Sequence, residues 1–242
     1  MKFRLQDRVT FGVGKNRFAE GRQIESRQSV DVFLLDDGFQ HLQIARDLDI
    51  LLLDASRALG GEPLLPAGRL REPVAAMSRA NLVVFTRAEK ADGTLQAVAK
   101  LNQFPVFAAS TRLLGFRRFG GEISLLAPEE IGKGPFFAFC GLGNPEAFFR
   151  DLESWGLTVC GHATFPDHYR YKQKDVEGLL LAGKQSSANG FITTEKDAQN
   201  LTGLNFGDTP AYIAAIDFVI APEADFRNVL DQTLANRAGV AA

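Results

Sequence analysis

The chain has 242 residues, of which 45% are apolar and 23% charged, with a formal net charge of −2. This is the composition of an ordinary globular protein, and the chain is long enough to bury a sizeable core. The charge balance excludes a global electrostatic case for nucleic acid binding, and no apolar run approaches the roughly 18–20 residues of a membrane-spanning helix. Cys140 and Cys160 lie in apolar runs and are expected to be free, buried thiols, as suits a reducing compartment.

Short apolar runs alternate with helical patterns along the chain. The runs predict strands at Val32–Leu35, Ile50–Leu53, Leu82–Phe85, Val106–Ala108, Phe136–Cys140, Leu157–Cys160, Gly190–Thr193 and Ala211–Val219. Helices are predicted at Asn16–Arg27, Ala91–Asn102, Pro145–Gly156, Gln173–Ser187 and Glu223–Arg237. Several runs are apolar on both faces, as parallel strands covered by helices are. The alternation therefore indicates an α/β fold with a doubly wound, mostly parallel sheet, which binds ligands at the carboxyl ends of its strands.

The middle of the chain differs from the rest. Arg112–Leu126 carries Gly115 and the pair Gly120-Gly121 between short apolar pieces, which predicts a hairpin or a domain joint. We place a boundary there, so that residues 1–126 form one part of the fold and residues 127–242 form a second, smaller α/β part.

The strongest local motif is the segment Val32–His41. It begins with the apolar run Val32–Leu35, which is followed directly by Asp36 and Asp37. An apolar strand ending in Asp is the Walker B pattern, because a Mg²⁺ ion beside nucleotide phosphates prefers carboxylate oxygen. Many α/β strands end in Asp merely to cap the next element, so this pattern alone leaves both interpretations open. The string Asp-Asp-Gly-Phe-Gln-His is far more specific.

A phosphate-binding loop of the form Gly-x4-Gly-Lys-Ser/Thr should accompany such a strand, because its N–H groups and Lys hold the phosphates. The nearest match, Gly178–Gln185, lacks the hydroxyl and lies inside a predicted helix, so we interpret it as chance. Gly12–Lys15 lacks the first Gly. The turn Gly141–Pro145, with Asn144 as the predicted N-cap, either holds an anion or is purely structural.

Three further segments carry candidate side chains. The loop Leu64–Pro73 contains Arg71 and Glu72, which either recognise phosphate or form an exposed ion pair. Asp167-His168 follows a strand run, and such a pair can act as a general base with an orienting carboxylate, although adjacent residues need not face each other. Thr193–Asp197 also follows a strand, where its charges either meet a ligand or cap the next helix.

Taken together, these strings resemble the tetraacyldisaccharide 4′-kinase family of lipid A biosynthesis. The matching pieces are Leu35–His41, Ala45–Asp49, Leu64–Pro73, Phe139–Glu146, Phe165–Tyr171 and Thr194–Asp197. They occur in the family's order and spacing over roughly residues 9–221, and the complete set is much more specific than any one piece.

The resemblance implies a P-loop NTPase-like kinase fold. It also implies transfer of the γ-phosphoryl group of ATP, with Mg²⁺, to the 4′-hydroxyl of an acylated glucosamine disaccharide 1-phosphate, giving lipid IVA. Such an enzyme works at the cytoplasmic face of the inner membrane of a Gram-negative bacterium, as a peripheral protein. In this likeness Asp36 and Asp37 are the metal carboxylates, with Asp37 also taking part in catalysis. His168 activates the attacking hydroxyl together with an Asp from the amino-terminal part, and Arg71 and Glu72 form a substrate or nucleotide loop.

The sequence departs from the family in one respect. Members carry a membrane-associating helix, the Walker A loop and the acidic partner of the catalytic His before the matching part, and none of these is found in the sequence. We therefore expect an amino-terminally truncated kinase whose activity is impaired by loss of the phosphate loop. The alternative is a non-catalytic fragment, or one half of a split kinase that binds and complements the other.

Overall fold

A computed structural model describes residues 9–55, 63–68, 70–88, 104–121 and 124–238 of the chain. The strands are β1 (Ile50–Asp54), β2 (Leu82–Thr86), β3 (Val106–Arg118), β4 (Phe136–Cys140), β5 (Val159–Thr164), β6 (Gly190–Thr194) and β7 (Ala211–Ala221). The helices are α1 (Arg17–Glu25), α2 (Pro128–Ile131), α3 (Pro145–Ser154), α4 (Gln173–Gln185), α5 (Glu195–Asn200) and α6 (Glu223–Ala238), with a 3₁₀ turn at Val74–Arg79. The predicted helix Ala91–Asn102 lies outside the described residues. None of the described helices is long and apolar enough to cross a membrane.

The chain divides into two compact units, one formed by Met1–Ala108 with Ala221–Ala242 and the other by Ala109–Ile220. The division predicted from the sequence, at residue 126, stays a prediction. In the first unit β1 pairs in parallel with β2, and a small cluster of apolar side chains packs around them. β2 is buried from Leu82 to Phe85, as its uninterrupted apolar run predicts.

The second unit is a sheet with the strand order β3-β7-β6-β4-β5, in which the pairs β4–β5, β4–β6 and β6–β7 are parallel. Successive side chains of β4 point to opposite faces of the sheet, as the period of a strand requires. Phe136 and Ala138 join one cluster with α3, whereas Phe137 and Phe139 join another with α4. Helices therefore cover both faces, which confirms the predicted doubly wound, mostly parallel α/β architecture.

The predicted hairpin is present after β3. Phe116 and Leu126 exchange two backbone hydrogen bonds of 2.8 and 2.7 Å in an antiparallel bridge, and a turn at Gly120-Gly121 separates them. Gly115 has φ +145°, and a Cβ there would lie 2.7 Å from the carbonyl oxygen of Leu126. Glycine is therefore required at the position that the sequence pattern singled out.

The strand predicted at Val32–Leu35 is wrong. The segment is irregular, and the side chains of Val32, Phe33 and Leu34 are 49%, 47% and 88% exposed. A strand exists only through ladder hydrogen bonds to a neighbour, and none of the seven strands in the described part of the chain pairs with this segment. The apolar pattern is genuine, but the interactions that would make it a buried strand are not found among the described residues.

Candidate functional site

The predicted metal carboxylates lie in a turn of the first unit. Asp36 and Asp37 are both exposed, and Asp37 has φ +48°, a left-handed conformation that Asp tolerates better than most residues. The turn is fixed by hydrogen bonds from the amide of His41 to the carbonyl of Gly38 (2.9 Å) and from Arg17 to the carbonyl of Asp37 (3.1 Å). The two side chains are thus presented to solvent by an ordered turn rather than by the end of a strand.

Arg71 is brought to this turn from a loop 34 positions away in the sequence. Its Nη1 donates to Oδ2 of Asp37 across 2.7 Å, and the two side chains remain 57% and 61% exposed. The hydrogen bond and the charge of Asp37 raise the pKa of Arg71 above its ordinary value. The structure therefore joins two of the side chains predicted for the site, Asp37 and Arg71.

Glu72, the neighbour of Arg71, is engaged elsewhere in the same unit. Arg79 donates to both of its carboxylate oxygens, at 2.7 and 3.1 Å, and the Arg79 guanidinium lies 4.7 Å from the centre of the Phe39 ring. The hydrogen bond from Arg79 lowers the pKa of Glu72. The sequence interpretation missed Arg79, whose only signal was its place after a run of small and apolar residues.

The residues present are compatible with a Mg²⁺ ion carried in with a nucleotide. Over the described ranges, no three His, Cys, Asp or Glu side chains come together as a metal cage. Mg²⁺ does not need one, because it is usually held by one or two carboxylates together with phosphate oxygens and water. The adjacent exposed carboxylates of Asp36 and Asp37 have the right donor chemistry for that arrangement.

The second candidate group lies in the other unit, on the loop Phe165–Tyr171 after β5, which we name the His168 loop. His168 has φ +58° and its side chain is 80% exposed. Oδ1 of Asp167 accepts from the backbone amide of His168 at 3.0 Å, whereas Nε2 of the ring lies 3.8 Å from Oδ2 of Asp167. That separation is too long for a hydrogen bond. Asp167 thus holds the backbone of His168 without orienting its ring.

The side chain of Asp167 forms an ion pair with Lys196 rather than with the ring of His168. Its ammonium group pairs with Oδ1 of Asp167 and lowers the pKa of that carboxyl, mainly through the hydrogen bond. Lys196 belongs to the segment Thr193–Asp197, for which the sequence allows two roles, ligand binding or helix capping. Capping is observed at Thr194, whose Oγ1 accepts from the amide of Asp197 at 3.2 Å at the start of α5.

The structure also places several other predicted features. Asn144 is the N-cap of α3 and Pro145 its first residue, as predicted. Gly178–Gln185 lies within α4, which confirms that it is not a phosphate loop. Both cysteines are free, with Cys140 buried and Cys160 half-buried. The ring of His162 packs 4.5 Å from that of Phe149.

The mostly parallel sheet with helices on both faces is an α/β fold, and it is similar to a solved structure of the P-loop kinase-like class. Comparison with known proteins gives the family. Residues 1–235 match the family described as tetraacyldisaccharide-1-P 4′-kinase, LpxK, and the chain belongs to this family.

Similar proteins and a solved structure agree with this assignment. The tetraacyldisaccharide 4′-kinase of Geobacter metallireducens is 36% identical over 223 residues, which are 92% of this chain and 64% of that protein. The one from Syntrophobacter fumaroxidans is 37% identical over 230 residues, 93% of this chain and 60% of that protein. A crystal structure titled as the "apo" form of LpxK from Aquifex aeolicus in complex with ATP superposes with a TM-score of 0.64, at 25% identity, over 92% of this chain and 64% of that one. The chain thus spans less than two thirds of the length of these relatives.

Proposed function

We propose that the chain supplies two parts of a lipid A 4′-kinase, the turn that carries Asp36 and Asp37 and the His168 loop. Such an enzyme transfers the γ-phosphoryl group of ATP to the 4′-hydroxyl of an acylated glucosamine disaccharide 1-phosphate. The observation that carries the proposal is the match to this family along nearly the whole chain. Asp37, Arg71 and His168 lie in the sequence strings that resemble the family's motifs. The solved relative bound to ATP supports a nucleotide as the phosphoryl donor.

The first unit fits the phosphate end of this chemistry. Phosphoryl transfer depends chiefly on positioning and on neutralising the charge of the phosphates. Asp36 and Asp37 would hold a Mg²⁺ ion, which when bound neutralises phosphate charge. Arg71 holds Asp37 in place through the 2.7 Å hydrogen bond and has further N–H donors that can meet a phosphate oxygen. Arg79 pairs with Glu72, the residue that follows Arg71. Two adjacent residues of this loop are therefore held by ion pairs.

The second unit fits the hydroxyl end of the chemistry. The hydroxyl that accepts the phosphoryl group must lose its proton, and an imidazole ring is a suitable proton acceptor. His168 is exposed, its backbone is held by Asp167, and Lys196 pairs with Asp167 and lowers the pKa of that carboxyl. In the proposed reaction, His168 accepts the proton of the 4′-hydroxyl as the oxygen attacks the γ-phosphorus. The bond between the γ-phosphorus and the β–γ bridging oxygen breaks, and ADP leaves.

The proposal includes the level of activity and the place of action. The 242 residues contain no Gly-x4-Gly-Lys-Ser/Thr segment. Since backbone N–H groups and a Lys normally stabilise the phosphates, we expect the chain by itself to turn over slowly or not at all. We place the protein in the cytoplasm, peripheral to the inner membrane of a Gram-negative bacterium, where an acylated substrate is presented.

A second candidate function is that of a half that binds and complements a separate polypeptide. It is favoured by the exposed apolar side chains of Val32, Phe33 and Leu34, which lie in an irregular segment without a paired strand among the described residues. Such a segment offers both a hydrogen-bonding edge and apolar surface to an added strand.

A chimera tests the proposed function. The matched region of the Geobacter metallireducens kinase is replaced by residues 9–221 of this chain, and transfer of labelled γ-phosphate to the acylated disaccharide 1-phosphate is measured. We expect the chimera to be active and the 242-residue chain to remain at background. A folded chimera without activity contradicts the proposal. Activity that appears when the chain is mixed with a separate polypeptide carrying the phosphate loop identifies the second candidate.

A further inference from the structure

Asp197, on α5, is a buried carboxylate that the proposed reaction does not use. Its side chain is 2% exposed. Burying a carboxylate is costly unless hydrogen bonds compensate for the lost water. Oδ1 accepts from the amide of Gly141 at 2.8 Å and from the hydroxyl of Tyr171 at 2.9 Å, while Oδ2 accepts from the hydroxyl of Thr194 at 2.6 Å. The carboxylate is therefore satisfied by three donors.

These donors come from the carboxyl ends of three neighbouring strands. Gly141 directly follows β4, Thr194 is the last residue of β6, and Tyr171 ends the loop that follows β5. The strands are adjacent in the sheet, in the order β6-β4-β5. Ligands of parallel α/β sheets bind at this edge. The side chain of Asp197 thus forms hydrogen bonds with all three chain segments that follow these strands at this edge of the sheet.

The His168 loop is held at both ends by α5. Lys196 pairs with Asp167 near the beginning of the loop, and Asp197 accepts from Tyr171 at its end. The backbone at Gly141 lies close to both the loop and Asp197. A Cβ on Gly141 would lie 2.9 Å from the carbonyl oxygen of Pro166 and 3.0 Å from Oδ1 of Asp197. Between the two anchors, the side chain of His168 is exposed and its backbone is in a left-handed conformation that needs external support.

We propose that Asp197 is a positioning residue for His168. It touches no reacting group in this account, and acts by fixing the loop that carries the imidazole. The catalytic role of His168 rests on the proposed function, but the fixing of its loop does not. Because both Gly141 and Tyr171 donate to one oxygen of Asp197, the geometry requires an acceptor at that position rather than a charge. An amide side chain, as in Asp197→Asn, retains that acceptor. Its NH2 group replaces Oδ2 and can donate to the hydroxyl oxygen of Thr194, which is itself able to accept.

Nitrogen-15 relaxation of the complete 242-residue chain tests the proposal. In the parent protein we expect backbone order parameters near 0.85 at residues 167–169, as in a rigid helix, and values below about 0.6 in Asp197→Ala. Asp197→Asn is expected to restore values close to those of the parent. Unchanged order parameters in Asp197→Ala overturn the proposal. So does an Asp197→Asn variant as mobile as Asp197→Ala, because that result shows a requirement for charge.

Tyr171→Phe keeps the test decisive if Asp197→Ala fails to fold. It removes one donor and keeps a ring that packs against Phe139 and Phe165 at 5.8 and 4.9 Å. We expect a loop more mobile than in the parent, whereas the matched control Tyr212→Phe, on β7, leaves the loop unchanged. An equally rigid loop in Tyr171→Phe overturns the proposal. None of these measurements depends on kinase activity. Failure of the proposed function would be recognised separately, by full activity of the chimera that carries His168→Ala.

Discussion

Arg71 and Asp37, 34 positions apart in the sequence, are joined by a 2.7 Å hydrogen bond between two side chains that remain more than half exposed. An exposed ion pair of this kind contributes little to stability, usually less than about 1 kcal/mol, because water and salt screen it. The pair therefore does not explain the fold of the loop. Its value is that it holds a cation beside the carboxylates that we propose for the metal.

Replacing Arg71 separates these roles. We expect Arg71→Ala to change the free energy of unfolding by less than about 1 kcal/mol, since the pair is exposed. In the active chimera, phosphoryl transfer should fall at least about tenfold, because one fixed cation near the phosphates is lost. Urea unfolding and the transfer assay measure the two effects. Arg22→Ala, which removes the exposed 3.0 Å pair with Glu25, is the matched control and should change neither. Full activity of Arg71→Ala would contradict a role in the site.

The pKa of Asp167 depends on Lys196. The ammonium group lowers this pKa below the ordinary value of 3.8. The pairing thus stabilises the folded protein above that value, and its contribution is lost as the pH falls through the depressed pKa of the folded state. We expect Lys196→Met to raise the pKa of Asp167 towards 3.8, as followed by carbon-13 NMR of the carboxyl carbon. Lys184→Met, at the end of α4, should leave it unchanged. An unaltered titration in Lys196→Met would show that the pair is not formed in solution.

The two cysteines should differ in reactivity. Burial, with a smaller effect from the charge of Asp197, raises the pKa of the Cys140 thiol to about 12. Since the thiolate is the reactive form, Cys140 should resist iodoacetamide at pH 8 in the folded protein. Cys160, half-buried on β5, should be alkylated first. Peptide mass spectrometry after brief labelling distinguishes them, and urea should abolish the difference. Preferential labelling of Cys140 would contradict the burial of β4.

Two glycines of α4 provide a matched pair for packing. A Cβ on Gly178 meets nothing within 4 Å, whereas one on Gly183 would lie 2.6 Å from the ring of buried Phe191. We expect Gly178→Ala to stabilise the protein by about 0.5–1 kcal/mol, because alanine is the better helix former. Gly183→Ala should destabilise it by about 1–3 kcal/mol through overpacking. Urea unfolding measures both, and equal effects would mean that α4 does not pack on β6 as described.

The sequence predicted the second unit well because its signals are local. Uninterrupted apolar runs predict β4 and β6 as buried strands, and the turn before α3 predicts the start of a helix. These signals lie within the segments themselves, and together they predict the doubly wound sheet. The strand at Val32–Leu35 failed for the opposite reason. Its apolar pattern is as clear as that of β2, but a strand also needs a partner, which lies outside what the segment itself encodes.

The candidate site was predictable only in part. Motif resemblance brought out Asp36, Asp37, Arg71, Glu72 and His168, and the structure adds which of them meet. The motif resemblance could not show that Asp167 pairs with Lys196, since that pairing depends on a loop and a helix 29 positions apart in the sequence. Asp197 lies in the candidate segment Thr193–Asp197, but its hydrogen-bond donors were not predictable for a similar reason. A carboxylate after a strand usually caps a helix, and only the fold shows that this one is buried among three donors.

The most direct test of the central claim is the transfer assay on the chimera with His168→Ala. We expect a loss of at least about 100-fold in kcat, as for removal of a general base, with little change in KM for ATP. The matched control is His162→Gln, which replaces the histidine that packs on Phe149. This variant should retain the activity of the parent. A His168→Ala chimera that phosphorylates the acylated disaccharide as fast as its parent would contradict the account.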